Sequence, residues 1–258
     1  MTALRALLGL VVGFGVAFGA CFVVLGMALG LPSSMALPVA IACGVLGGAY
    51  SCYAFSQRAY TFGFFSIVGY LMDMTWSLLN TTAGFLVWVP ACAITGANFV
   101  EATDDSQRSG TLVFDANPRG GGYMATTIGT VIAGGWCSHE ETHVWQARIF
   151  GPAYLLVYIV ALLLNMLFRL VTGHTDSVSN EAYYRVCFED WAYAAGSISG
   201  GDIDWGMWFV WFLLTAVYVS FFVLISVGIA VKILALPLIA AGGLIVYSLI
   251  RTLAPTYQ

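Results

Sequence analysis

The chain has 258 residues, 60 % of them apolar and only 9 % charged, with 9 Lys and Arg against 13 Asp and Glu and a mean hydropathy of +0.88. A soluble domain carries roughly 25 % charged residues, so this composition excludes a water-solvated globule and points to a chain that largely faces lipid. A net charge of −4 and a single lysine, Lys232, also exclude the clustered cations that nucleic-acid binding needs.

Residues 3–30 form an apolar run with Arg5 as its only charge. Phe18-Gly19-Ala20-Cys21 is weakly similar to a lipoprotein cleavage site, but the run continues past Cys21, so the expectation is a transmembrane helix of about 20 residues. After the turn at Leu31-Pro32-Ser33-Ser34, residues 35–55 give a second span. The two predict a helical hairpin over residues 1–56, and Arg5 and Arg58 at its open end place the N-terminus in the cytoplasm.

Residues 57–99 predict interfacial and broken apolar helices. Residues 60–79 intersperse Asp73, Trp76 and Ser77 among aromatic and apolar residues, as an interfacial helix does. Asp73 is expected to cap that helix, with an intramembrane proton or ion site as the alternative. Residues 82–99 are apolar, short and interrupted by Pro90, which predicts a broken or re-entrant segment.

Residues 100–136 change character. After the polar stretch of Glu101, Asp104, Asp105 and Arg108, residues 110–114 and 123–132 are rich in β-formers and flank Asn117-Pro118-Arg119-Gly120-Gly121-Gly122. This predicts a β-hairpin outside the hydrocarbon, where an open sheet edge would leave backbone groups unpaired.

The chemistry lies in residues 137–205. Two of the three histidines occur in His139-Glu140-Glu141-Thr142-His143, an HExxH pattern. On a helix, residues i and i+4 share a face, so both imidazoles can hold one zinc ion, with Glu140 beside them as a general base. A third ligand is required, and the helix-compatible stretch around residues 183–192 offers Glu189 and Asp190, with Glu181 just before it; a downstream helical glutamate, as in gluzincin-type peptidases, would make Glu189 the candidate. His174 follows Gly173 and reads as a solvated loop residue. Among the six cysteines there is no CxxC pair, so a thiolate zinc site is not supported. Cys137 and Cys187 stand either as a bridge between the two site helices or as two free thiols. Two further apolar runs, residues 206–231 and 233–249, predict a C-terminal transmembrane hairpin over residues 206–258.

His139-Glu140-x-x-His143-x-x-Gln146, then Gly151-Pro152-x-Tyr154, then Phe188-Glu189-x-x-Ala192 resembles the pattern of bacterial HExxH membrane proteins similar to gluzincins. The resemblance covers residues 123–195. It implies His139, His143 and Glu189 as metal ligands, Glu140 as the catalytic base and zinc as the cofactor. Glu141 departs from the peptidase pattern, which usually keeps the two middle positions uncharged.

A helix over residues 153–171 would be about 28 Å long. Were it to cross the membrane, Glu189 would have to return through lipid together with Glu181, Arg185 and Asp190, at about 2.5–3.5 kcal/mol for each charge. The expectation is therefore that this helix packs inside protein or at the interface. The whole predicts a mainly α, polytopic membrane protein with about four to five transmembrane helices, a small extramembrane β-hairpin and a zincin-like helical site. The resemblance implies a membrane-embedded zinc protein of metallopeptidase type in a bacterial inner membrane. The alternative is a non-catalytic accessory subunit of a larger membrane complex, such as an actinobacterial Mce-type lipid transporter, with other membrane subunits as partners.

Overall fold

The computed structural model describes residues 2–28, 30–100, 110–120, 125–173, 182–184 and 186–195. The chain divides into two compact units, Met1–Pro152 and Ala153–Gln258. The C-terminal hairpin expected over residues 206–258 lies outside the described residues, as do His174 and Glu181.

In the first unit, helix α1 (Thr2–Phe22) runs on through a π-helical turn, Val23–Ala28, and α2 (Ser33–Ser56) returns beside it. Lipid supplies no hydrophobic drive for two apolar helices to associate, so close backbone packing must do it. Gly9, Gly13 and Ala17 of α1 face Gly47 and Ser51 of α2, Phe14 and Phe18 lie over Gly44, and a methyl group on Gly13 would strike the Gly47 carbonyl and the Ser51 side chain. Leu4, Val11, Val39 and Val45 stay exposed on the outer faces.

Helix α3 (Phe64–Met74) is short, and a corner at Thr75–Ser77 leads into α4 (Leu78–Thr95). The break expected at Pro90 does not occur: α4 is continuous through it, and Gly96, with φ of 74°, terminates the helix. Proline removes one backbone hydrogen bond, a loss that the surrounding apolar helix absorbs. Among the described residues, Thr2–Met27, Ser33–Ser56 and Leu78–Thr95 are long and apolar enough to cross a membrane.

The expected hairpin around residues 117–122 is replaced by a three-stranded mixed sheet. Strands β1 (Leu112–Phe114), β2 (Thr126–Ile128) and β3 (Val131–Ala133) lie in the order β1-β3-β2. β1 runs parallel to β3 with Leu112 opposite Val131, and β2 runs antiparallel to β3 with Thr126 opposite Ala133. The run read as one strand over residues 123–132 therefore folds on itself at Gly129-Thr130. Gly129 has φ of 59°, and a Cβ there would collide with the Asn80 carbonyl, so only glycine lets the turn sit on α4. Gly84 is its counterpart on the helix, where the Ile128 carbonyl occupies the place of a side chain.

Helix α5 (Ser138–Phe150) carries the histidines, and its C-terminal end is held by the α3–α4 corner. A helix leaves its last carbonyls without partners. Here Ser77 Oγ donates to the Ala147 carbonyl at 2.9 Å, Trp76 Nε1 to that of Ile149 at 3.1 Å, and Asn80 Nδ2 to those of Ala147 and Gly151. Beside them, Arg148 Nε and Nη2 donate to the two carboxylate oxygens of Asp73 at 3.0 and 2.7 Å, with both side chains wholly buried. Asp73 is thus neither a helix cap nor an isolated acid but one half of a bidentate ion pair. Tyr60 donates to Asp73 at 2.6 Å, so its only proton is spent. Tyr50 must then donate to Tyr60 at 2.8 Å, and Thr130 donates to Tyr50 at 2.9 Å. Burial opposes the charge on Arg148, but the Asp73 carboxylate outweighs it and raises its pKa; burial, then Asp73, pushes the Tyr60 phenol well up.

In the second unit, α6 (Tyr154–Val171) follows a 3₁₀ turn at Gly151–Ala153, and α7 (Cys187–Ala195) packs against it. Phe188 contacts Tyr154 and stacks parallel to Tyr158, while Asn165 Nδ2 donates to the Ala182 carbonyl at 3.3 Å. Val157, Ala161 and Asn165 form the buried stripe of α6, and Ile159, Leu163 and Leu167 remain exposed.

Removing one partner of a buried ion pair leaves the other charge uncompensated, at about 3–5 kcal/mol. Asp73→Ala is therefore expected to lower the thermal unfolding midpoint of the detergent-solubilised protein sharply. The double variant Asp73→Leu with Arg148→Met should recover most of the loss.

Candidate metal centre

The HExxH residues occupy the first two turns of α5, entered at Cys137 in extended conformation. His139, Glu140 and His143 are all buried. The imidazole rings meet edge to face, 4.8 Å between centroids, and their Nε2 atoms point at each other across 3.2 Å. Two nitrogen ligands at about 2.0–2.1 Å from one tetrahedral zinc would lie about 3.3–3.4 Å apart, so the histidine spacing fits a shared ion.

The next turn sets the tautomer of His143. Its Nδ1 lies 2.8 Å from Gln146 Oε1, and an amide oxygen can only accept, so Nδ1 carries the proton and Nε2 presents its lone pair. Glu140 is held from the sheet: Thr127 Oγ1, on β2, donates to its Oε2 at 2.6 Å.

Glu189, in the first turn of α7, is buried and accepts a hydrogen bond from Tyr158 Oη at 2.6 Å. Burial, followed by the charge of Glu189, drives the Tyr158 phenol pKa upward, so the phenol stays a donor. One ligand atom from each of His139, His143 and Glu189 lies within 4.8 Å of those of the other two. This buried His-His-Glu group could hold a metal ion, and its mix of imidazole and carboxylate suits zinc and other divalent transition ions. The group includes neither Glu141, which is half-buried, nor Asp190.

Cys137 is a free thiol. Burial raises its pKa, against the reactive-thiolate pattern. The side chain of Cys187 lies outside the described residues. Sequence reasoning gave no role to Thr127 or Tyr158, whose partners are 13 and 31 residues away. Gln146 sits three residues past His143, a spacing that does signal a helical neighbour.

No protein-family model, curated protein or solved structure matches the chain. What defines the class is its own geometry: among the described residues, a mainly α fold with three helices long and apolar enough to span a membrane, a small mixed sheet and a buried His-His-Glu group.

Partners that orient a ligating histidine typically contribute about 10–100-fold in metal affinity. Gln146→Leu, nearly isosteric but unable to accept from Nδ1, is expected to weaken zinc binding by about that factor. Titration with a competing chelator would measure this, with circular dichroism as the check on folding.

Proposed function

We propose that this is an integral membrane zinc protein of the metallopeptidase type, with His139, His143 and Glu189 holding zinc and Glu140 serving as general base for hydrolysis of peptide or amide bonds. The observation that carries the reading is the convergence of the two Nε2 atoms, 3.2 Å apart, with the far nitrogen of His143 already committed to Gln146. His143 thereby presents its Nε2 lone pair toward the space between the rings before an ion arrives. Three protein ligands leave a fourth position open, which distinguishes a catalytic from a structural zinc site.

When bound, zinc supplies Lewis acidity, polarising a carbonyl and lowering the pKa of a water. The remaining work falls to the chain. Glu140 follows directly on His139, so a carboxylate stands beside the ion-binding face without occupying a ligand position. Thr127 holds one oxygen of that carboxylate and leaves the other to take a proton from water and pass it to a leaving amine. Tyr158 does the equivalent for Glu189, fixing one oxygen while the second is offered to the ion. Burial of all four residues keeps bulk water from competing.

The purified protein is expected to carry about one zinc per chain, as the single shared site implies, measured by plasma emission spectrometry. His143→Ala should lose it. Glu140→Gln should keep the metal and abolish hydrolysis. Absence of zinc from wild-type protein prepared without chelators would overturn the reading.

A further inference from the structure

The sheet that positions Glu140 is seated along helices that can cross a membrane, its β2–β3 turn meeting α4 from Asn80, near the helix start, to Gly84. Helix α4 has 18 residues, about 27 Å at 1.5 Å per residue, so a hydrocarbon core of about 30 Å leaves almost none of it outside. Gly84 is six residues in from Leu78, about 9 Å along the axis. There the Ile128 carbonyl rests on the α4 backbone, with Val131 beside it. Helix α2 gives the same depth independently. Thr130 is hydrogen-bonded to Tyr50, six residues before the end at Ser56, again about 9 Å. Tyr50 and Tyr53 both pack on Phe85 of α4, so the two helices are level at this point.

Glu140 is tied to Thr127, the neighbour of Ile128, and so shares this depth. The burial pattern agrees. Irregular or sheet backbone is tolerated in hydrocarbon only where protein covers it, and every residue of β1 and β3 is buried. β2 is the exception: its three residues are only partly buried, and among the described residues it pairs with β3 alone. An edge at this depth, next to the proposed base, suits an extended main chain, which can pair with a strand edge; an acyl chain cannot do so.

Resting on the hydrolase reading above, we propose that the substrate is a polypeptide segment lying within the bilayer, cut at a bond below the membrane surface. Bulk-water peptides are poor substrates because the base and the histidines sit at the level of the apolar interior of α2 and α4.

The test uses the zinc-loaded full chain in liposomes with two peptides on the same transmembrane anchor. One carries the scissile sequence about 9 Å below the interface, the depth of Gly84 along α4; the other displays it in water on a flexible spacer. Because anchoring is identical, any preference reports depth and not concentration. The embedded peptide is expected to be cut about ten-fold faster or more, as positioning effects of this size require, with Glu140→Gln inactive on both. Equal or faster cleavage of the displayed peptide overturns the inference and leaves the hydrolase reading intact. Bound zinc with neither peptide cut removes the hydrolase reading, and the inference with it. Depth is checked separately with a nitroxide on Leu86→Cys in a cysteine-free background, on the exposed face of α4 close to Gly84. It should be more accessible to oxygen than to a water-soluble nickel chelate; the reverse order also overturns the inference.

Discussion

The contact on which the first unit depends is the buried pair of Arg148 and Asp73. In a chain so poor in charge, two ionised side chains have been placed where neither touches water, joined through both oxygens and two guanidinium nitrogens. Charges so placed are stabilising only when their geometry is good and their remaining valences are met. Tyr60 meets one of them on Asp73, and the Arg148 guanidinium also lies 4.7 Å over the ring of Trp145. The pair joins α3 to the last turn of α5. The neutral donors of Trp76, Ser77 and Asn80 then take up the carbonyls that this helix end would otherwise leave bare. Orientation of the histidines is therefore set from the opposite end of their own helix.

The same economy marks the region around the histidines. Three of the polar groups there have a specific neighbour: Gln146, one turn along the same helix, for His143; Thr127, from the sheet, for Glu140; and Tyr158, from α6, for Glu189. Carboxylates and imidazoles in an apolar surrounding are adaptable in principle. A single well-placed acceptor or hydroxyl donor removes that freedom and selects one rotamer and one tautomer. The three-stranded sheet serves as the platform for one of these supports. It is too small to be a domain core, and its β2–β3 turn reaches α2 and α4 through Thr130 and Gly129, so the position of Glu140 is referenced to those two helices.

What could be read from the sequence was what depends on near neighbours. The two histidines are four residues apart, and helical periodicity alone puts them on one face; the long apolar runs of α1 and α2, with Arg5 their single charge, declare themselves by length and hydropathy. Glu189 came into view through resemblance, not periodicity. What escaped notice depends on partners remote in the chain. Asp73 looked like a cap because nothing near it is cationic; its partner is 75 residues away. Residues 123–132 looked like one strand because their β propensity is continuous, and the fold at Gly129 is selected by the Asn80 carbonyl pressed against it. Pro90 looked like a break because proline usually is one in water, whereas an otherwise apolar α4 keeps its helical path.

The grip on the end of α5 also has a consequence for the order in which the chain is made. The corner at residues 73–80 leaves the ribosome some seventy residues before the carbonyls and guanidinium it binds, the separations in the chain being 67 to 75 residues. Until then Asp73 has the Tyr60 hydroxyl but no counter-charge, and Asn80 has only the neighbouring Ser77. The grip of the α3–α4 corner on the histidine helix, and with it the orientation of the histidine pair, thus closes late in synthesis.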